Sequence, residues 1–235
     1  MELESKLPQR SAKTEQTAQP AIWWFNKALG LQSEKDWPEL LKHAQAWTRA
    51  QSQDWVAWVI LGEAYAVLKQ RTKAIEAYQQ AVRVNPEHAE AWHPLGRAYM
   101  RTGQTTEAIE ACQQALRINP EYAEAWYNLG GAYSLEGQMT KAIEAFQQAL
   151  RINPEHAKAW AGLGIAYGKS GQMTESIEAF QKAVRINPEL DGAWLGLGIS
   201  YKISGQTDKV METYRQLKRL DPALADEFFN KFVLP

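Results

Sequence analysis

Residues 123–156 read AEAWYNLGGAYSLEGQMTKAIEAFQQALRINPEH. Trp126, Leu129 and Tyr133 stand at i, i+3 and i+7, which places them on one stripe of a helix. Gly137 follows, a residue that enters the left-handed region without a Cβ penalty and lets the chain reverse after a helix end. Ala142, Ile143, Phe146, Ala149 and Leu150 then mark a second amphipathic helix. Asn153-Pro154 ends it, because proline lacks the amide hydrogen that a continuing helix needs. The stretch is helix, turn, helix, stop.

The same pattern recurs every 34 residues on either side. Trp58, Trp92, Trp126, Trp160 and Trp194 mark the register, and each is followed by Leu-Gly and then by Tyr65, Tyr99, Tyr133, Tyr167 or Tyr201. Gly103, Gly137, Gly171 and Gly205 hold the central turn, with Lys69 in the earliest clear copy. These residues resemble the tetratricopeptide repeat family, whose Trp, Leu, Gly, Tyr, Ala, aromatic, Ala, Pro pattern is met almost in full by residues 123–156. Five repeats, 55–88, 89–122, 123–156, 157–190 and 191–224, cover 170 of the 235 residues. A degenerate sixth is read over 21–54, with Trp24 at the tryptophan position and Asp36-Trp37-Pro38 opening its second helix. The resemblance implies an all-α, right-handed superhelical solenoid of antiparallel helix pairs. Residues 1–20 are read as a disordered leader and 225–235 as a capping helix and tail.

Departures from the pattern carry expectations of their own. Ser176 and Val210 replace the small alanine, Ser200 replaces another, and Cys112 replaces an aromatic, so looser packing is expected in the last repeat. The tryptophan ladder is expected to be buried, and the glycine beside it to let paired helices approach opposite the small alanine. Pro94 stands six positions into its repeat; a helix that begins well before it loses a hydrogen bond to Glu90.

Composition excludes several functions. Lys plus Arg number 26 against 27 for Asp plus Glu, a net charge of -1 with no electrostatic footprint for nucleic acid. No stretch approaches the roughly 18 apolar residues of a membrane span, and residues 1–20 lack the apolar core of a signal peptide. The cytoplasm is therefore the expected compartment, or the periplasm if a leader was removed. His43, His88, His93 and His156 never form an i, i+4 pair around an acid, and the glycines follow the repeat period rather than a phosphate loop. His88 and His156 read as turn residues, and Cys112 reads as a core thiol because its copies are Tyr78, Phe146, Phe180 and Tyr214. No catalytic residue, metal ligand or cofactor is read, and the chain is not expected to be an enzyme.

Residues common to all copies serve the scaffold, so a site is sought where copies differ along one face. The second, fifth, ninth, twelfth and thirteenth positions of each first helix form such a stripe, and in the family that stripe lines the concave groove. Here it carries Arg97, Arg101, Lys158, Lys169 and Lys202 against Glu63, Glu90 and Glu124, with Tyr127, Ile165, Leu195, Ile199 and Ile203 between. The expected partner is an acidic and apolar peptide or protein segment. Members of the family that bind chaperone tails hold a terminal carboxylate with Lys and Asn; Asn128 and Lys158 match that frame, but His93, Arg97 and Gly162 do not, so the specificity is not carried over. The functional expectation is a non-catalytic interaction scaffold. The alternatives are a regulatory or targeting module of an enzyme or assembly complex, and self-association through apolar ends bearing Trp23, Phe25, Phe228, Phe229 and Phe232.

Overall fold

The structure, a computed structural model, describes residues 20–233, so the expected leader lies outside the described residues except for Pro20. All regular structure among the described residues is helical. Six helix pairs follow one another: α1 (Ala21–Ser33) and α2 (Trp37–Ala50), α3 (Trp55–Val67) and α4 (Arg71–Val84), α5 (Ala89–Thr102) and α6 (Thr105–Ile118), α7 (Ala123–Leu135) and α8 (Met139–Ile152), α9 (Ala157–Lys169) and α10 (Met173–Ile186), α11 (Asp191–Ile203) and α12 (Thr207–Leu220). A short α13 (Pro222–Phe228) and a π-helical turn (Phe229–Val233) complete the chain. The pair α1 and α2 starts 34 residues before α3 and α4. The described residues form two compact bodies, divided between Ala98 and Tyr99.

Each boundary has a local cause. The central turns place Gly103, Gly137, Gly171 and Gly205 at φ between 73° and 78°. Lys35 and Lys69 adopt φ of 59° and 60° at the matching places, a conformation that crowds their Cβ atoms. Between repeats, Asn119, Asn153 and Asn187 accept from the backbone amide two residues on, at 3.1, 3.2 and 3.1 Å, so Asn turns the chain while Pro stops the helix.

The recurring tryptophans are half-buried rather than buried. Each indole N–H donates to the backbone carbonyl six residues earlier: Trp58 to Ser52 at 2.9 Å, and Trp92, Trp126, Trp160 and Trp194 to Pro86, Pro120, Pro154 and Pro188 at 2.8 Å. They pin the turn before their own helix. Within the bodies a second set ties neighbouring repeats: Gln45, Gln113, Gln147 and Gln181 donate to the hydroxyls of Tyr65, Tyr133, Tyr167 and Tyr201.

The glycine beside the tryptophan admits an aromatic ring, not the small alanine. A Cβ at Gly62 would meet Tyr78 at 2.4 Å, at Gly130 Phe146 at 2.8 Å, and at Gly164 Phe180 at 2.9 Å. The same rings are met from the following repeat, by Gly162 against Phe146 at 2.7 Å and by Gly196 against Phe180 at 2.3 Å. Bulk at these paired places is complementary along the chain. Phe146 and Phe180 face glycine, whereas the smaller Cys112 and Ala44 have Asn128 and Ile60 at the corresponding places.

The two helices of the last repeat, α11 and α12, meet less extensively than those of α3 and α4, α7 and α8, or α9 and α10, as the departures in that repeat lead one to expect. Ser176 and Ser200 are buried, their hydroxyls lie 3.1 Å apart, and Ser176 Oγ donates to the Gly164 carbonyl at 2.8 Å. Val210 is buried too. Phe228 of α13 fills the slot at Gly198, where an added Cβ would lie 2.7 Å from its ring. Tyr214, whose copies fill that slot elsewhere, instead packs on Phe229 with centroids 5.0 Å apart. Asp221 caps α13 by accepting from Leu224 N at 2.9 Å. Pro94 lies inside α5, well beyond its first turn, so the Glu90 carbonyl loses its helical donor.

Candidate peptide-binding wall

Eight of the nine sequence-derived site residues fall in the C-terminal body, and Arg97 falls in the N-terminal one. There Arg97 acts on Glu63. Burial raises the Glu63 pKa, and the Arg97 charge and a 2.8 Å hydrogen bond from Gln32 Nε2 oppose that rise. Arg97 is thus an internal counter-charge in its body as well as an exposed cation.

In the C-terminal body, the first helices α7, α9 and α11 present the stripe. Lys158, Lys169 and Lys202 are exposed, as is Arg101 on α5, and none of the four has an ion pair among the described residues. Ile165 is 46%, Leu135 65% and Ile203 64% exposed. These exposed aliphatic side chains share one helical stripe with the cations. Tyr127 and Ile199 are half-buried.

Asn128 does not belong to this surface. It is 4% exposed, and its Nδ2 has no hydrogen-bond partner among the described residues. It occupies the inter-repeat place that Gly162 and Gly196 hold elsewhere, so its side chain fills volume facing the repeat before it.

A recess of about 460 Å³ opens in the wall, lined by Tyr127, Phe146, Lys158, Ile165 and Leu190. Phe146 and Leu190 were not singled out from sequence, one being a scaffold aromatic and the other a turn residue. The signal for the recess was the run of glycines at Gly131, Gly162 and Gly192 on three successive first helices, all of which border it. Tyr127 is held in place by His156, with ring centroids 4.9 Å apart, and by Phe146 at 6.0 Å. Burial raises the Tyr127 pKa, so its hydroxyl keeps its proton and remains a donor.

His156 caps α9 by accepting from Ala159 N at Nδ1, 3.2 Å away, which requires an unprotonated nitrogen. Burial lowers its pKa first, and Glu124 opposes that while Lys158 reinforces it. His88 stacks on Trp55 at 4.7 Å. Burial pushes the Cys112 thiol up to about 12, which makes it a poor nucleophile. No group of three or more His, Cys, Asp or Glu residues gathers among the described residues.

Two further clefts, of about 380 and 610 Å³, lie at equivalent places one repeat apart, one along Trp160 and Tyr167 and the other along Trp126 and Tyr133. They recur because the scaffold recurs. The recess at Tyr127 depends on residues that differ between repeats.

Of the apolar α1 residues, Trp24 is core at 2% exposure. Ile22, Phe25 and Leu29 take the second, fifth and ninth positions of their repeat and are 62%, 36% and 45% exposed, so they form an exposed face of α1. Trp23 is 40% exposed. Phe228 is buried in the cap and cannot serve as an association surface, while Phe229 and Phe232 are half-buried. Among the described residues no helix is long and apolar enough to cross a membrane.

The profile described as the cilia and flagella-associated protein 70 C-terminal domain matches residues 24–166, more than half of the chain, and that of the middle TPR-like domain of the same protein matches 119–221. No curated protein matches by sequence. Among solved structures, MamA is 28% identical with a TM-score of 0.61, covering 71% of this chain and 97% of its own. YrrB, titled a TPR protein with an unusual peptide-binding site, is 23% identical with a TM-score of 0.60, covering 77% of this chain and 92% of its own. The Cut9-Hcn1 hetero-tetramer structure of the APC/C is 19% identical with a TM-score of 0.80, covering 90% of this chain and 42% of that one. The 34-residue helix pairs, their glycine-seated aromatic rings and the profile match over residues 24–166 place the chain in the tetratricopeptide repeat family, of the kind these two domain profiles describe.

Proposed function

We propose that the chain is a non-catalytic scaffold that binds an acidic and apolar segment of a partner protein on the wall formed by α7, α9 and α11. Membership of a repeat family of interaction scaffolds supports the general class. The observation that carries the finer reading is the conjunction of uncompensated Lys158, Lys169 and Lys202 with exposed Leu135, Ile165 and Ile203 on one stripe. Apolar contacts supply most of the affinity, while the lysines orient carboxylates and speed encounter. The test is selection of peptides from a random-sequence library on the full chain, followed by binding to a variant with Lys158, Lys169 and Lys202 changed to Glu. Acidic and apolar peptides that lose binding to the reversed variant, and weaken with added salt, are expected; equal binding to both proteins refutes the assignment.

The exposure of Ile22, Trp23, Phe25 and Leu29 favours a second reading, self-association through α1. Sedimentation at high concentration should then show a larger species that Trp23→Ser with Phe25→Ser disperses. A monomer at all concentrations ends this reading.

A further inference from the structure

The recess in the wall differs from a shallow dent between helices in how it is made. Its open side lies at Gly192, where Val56, Glu124 and Lys158 project in other repeats and an added Cβ would meet nothing within 4 Å; at Gly162 the place of a side chain is taken by the Phe146 ring, and a Cβ at Gly131 would face the Met100 sulfur at 3.5 Å. The lining is largely apolar: Tyr127 packs against His156 and Phe146, and Ile165 and Leu190 add to it. An open, largely apolar recess of about 460 Å³ is of a size to take a ligand group. One cation, Lys158, stands in the lining, exposed and without an ion pair among the described residues.

We infer that this recess is an anchor pocket that takes one bulky apolar side chain of the bound segment, of leucine or phenylalanine size, while Lys158 holds the carboxylate of an adjoining Asp or Glu. The inference rests on the wall being the binding surface and adds to it which part sets specificity. Burial of a single large side chain in a preformed pocket concentrates affinity, as interface hot spots do. A charge at the mouth then fixes the direction in which the segment leaves the pocket.

Gly192 supplies a test that leaves the scaffold intact. A Cβ added there meets nothing within 4 Å, and a side chain other than glycine favours the helix, so Gly192→Leu fills the pocket without strain. The library-selected peptides are measured on the full chain, on Gly192→Leu, on Ile165→Ser at the exposed rim, and on Lys158→Glu. Replacing the bulky apolar residue of the peptide by Ala is expected to weaken binding to the unaltered chain by about 30-fold, and to change nothing further on Gly192→Leu. Ile165→Ser should weaken binding by several-fold, and Lys158→Glu should reverse the preference for an acidic neighbour to a basic one. Peptides that bind Gly192→Leu and Ile165→Ser undiminished, yet lose the triple lysine reversal, overturn the anchor and leave the wall standing. Peptides indifferent to all these variants, or a library that yields no binder, overturn both.

Discussion

Phe146 is the point at which the repeat packing is most exposed to a single atom. Its ring lies between Gly130 of its own repeat and Gly162 of the next, where added Cβ atoms would stand 2.8 and 2.7 Å away. Ordinary contact begins near 3.4 Å, so Gly162→Ala asks the ring to retreat by about 0.7 Å. Retreat is opposed by Gly130, whose Cβ position is 2.8 Å from the same ring, and by Tyr127 at 6.0 Å between centroids. Helix propensity favours alanine over glycine by about 1 kcal/mol. Overpacking a filled core costs about 1–3 kcal/mol, and a rigid ring held on both sides belongs at the upper end. The net expectation is a loss of about 1–2 kcal/mol, read as a lower urea midpoint by circular dichroism and by tryptophan fluorescence. Both probes are needed, since repeat arrays can unfold in stages. Gly192→Ala, with open space at its Cβ, should hold or raise the midpoint. Combining Gly162→Ala with Phe146→Leu removes the obstructing ring and should cost at least about 0.5 kcal/mol less than the sum of the two single changes. A Gly162→Ala chain as stable as the unaltered one, or strict additivity in the double variant, refutes the ring-between-glycines account.

Other outcomes follow from the same structure. Lys69→Gly, at φ 60°, should raise stability by about 0.5–1 kcal/mol in the urea assay, since the left-handed position suits glycine and costs lysine. His156 has a lowered folded pKa because burial disfavours its charged form, so the stability it confers is complete above its ordinary value of 6.5 and is lost as pH falls below it. A urea midpoint falling from pH 7 to pH 5 should flatten in part with His156→Asn, which keeps an N-cap acceptor, and His43, also lowered by burial, accounts for a further part. Phe228→Ala empties the slot at Gly198 and should cost about 3–5 kcal/mol locally, seen as fast amide exchange confined to the last repeat and its cap.

The helix pairs were legible because Trp, Leu, Tyr and Pro recur at fixed spacing, and the helix bounds recur at 34 residues among the described residues, with α5 running one residue longer to Thr102. Contact partners were less legible. The spacing shows that Gly130 must be small, but not that it faces Phe146 rather than Ala142, because that depends on how far the second helix is rotated. Asn128 shows a related limit. A polar residue next to the variable stripe, at the sixth position of its repeat, reads as a ligand contact, yet here Cys112 stands where other repeats carry an aromatic, and Asn128 is buried. The cations and aliphatics of the wall could be listed from sequence. The recess could not, since Leu190 reaches it from a turn and Phe146 from the core. Trp23 and Phe25 were legible as part of an apolar end, whereas the shared exposed face of Ile22, Phe25 and Leu29 follows from the phase of a helix that starts at Ala21.

The central claim is that partners bind on the variable stripe and not in the clefts that every repeat makes. Amide hydrogen exchange of the full chain, with and without a library-selected peptide, tests it most directly. Protection within α7, α9 and α11, strongest beside Tyr127, Lys158 and Gly192, is the predicted result. Protection confined to the second helices α8 and α10, which border the outer clefts at Trp126 and Trp160, would contradict it.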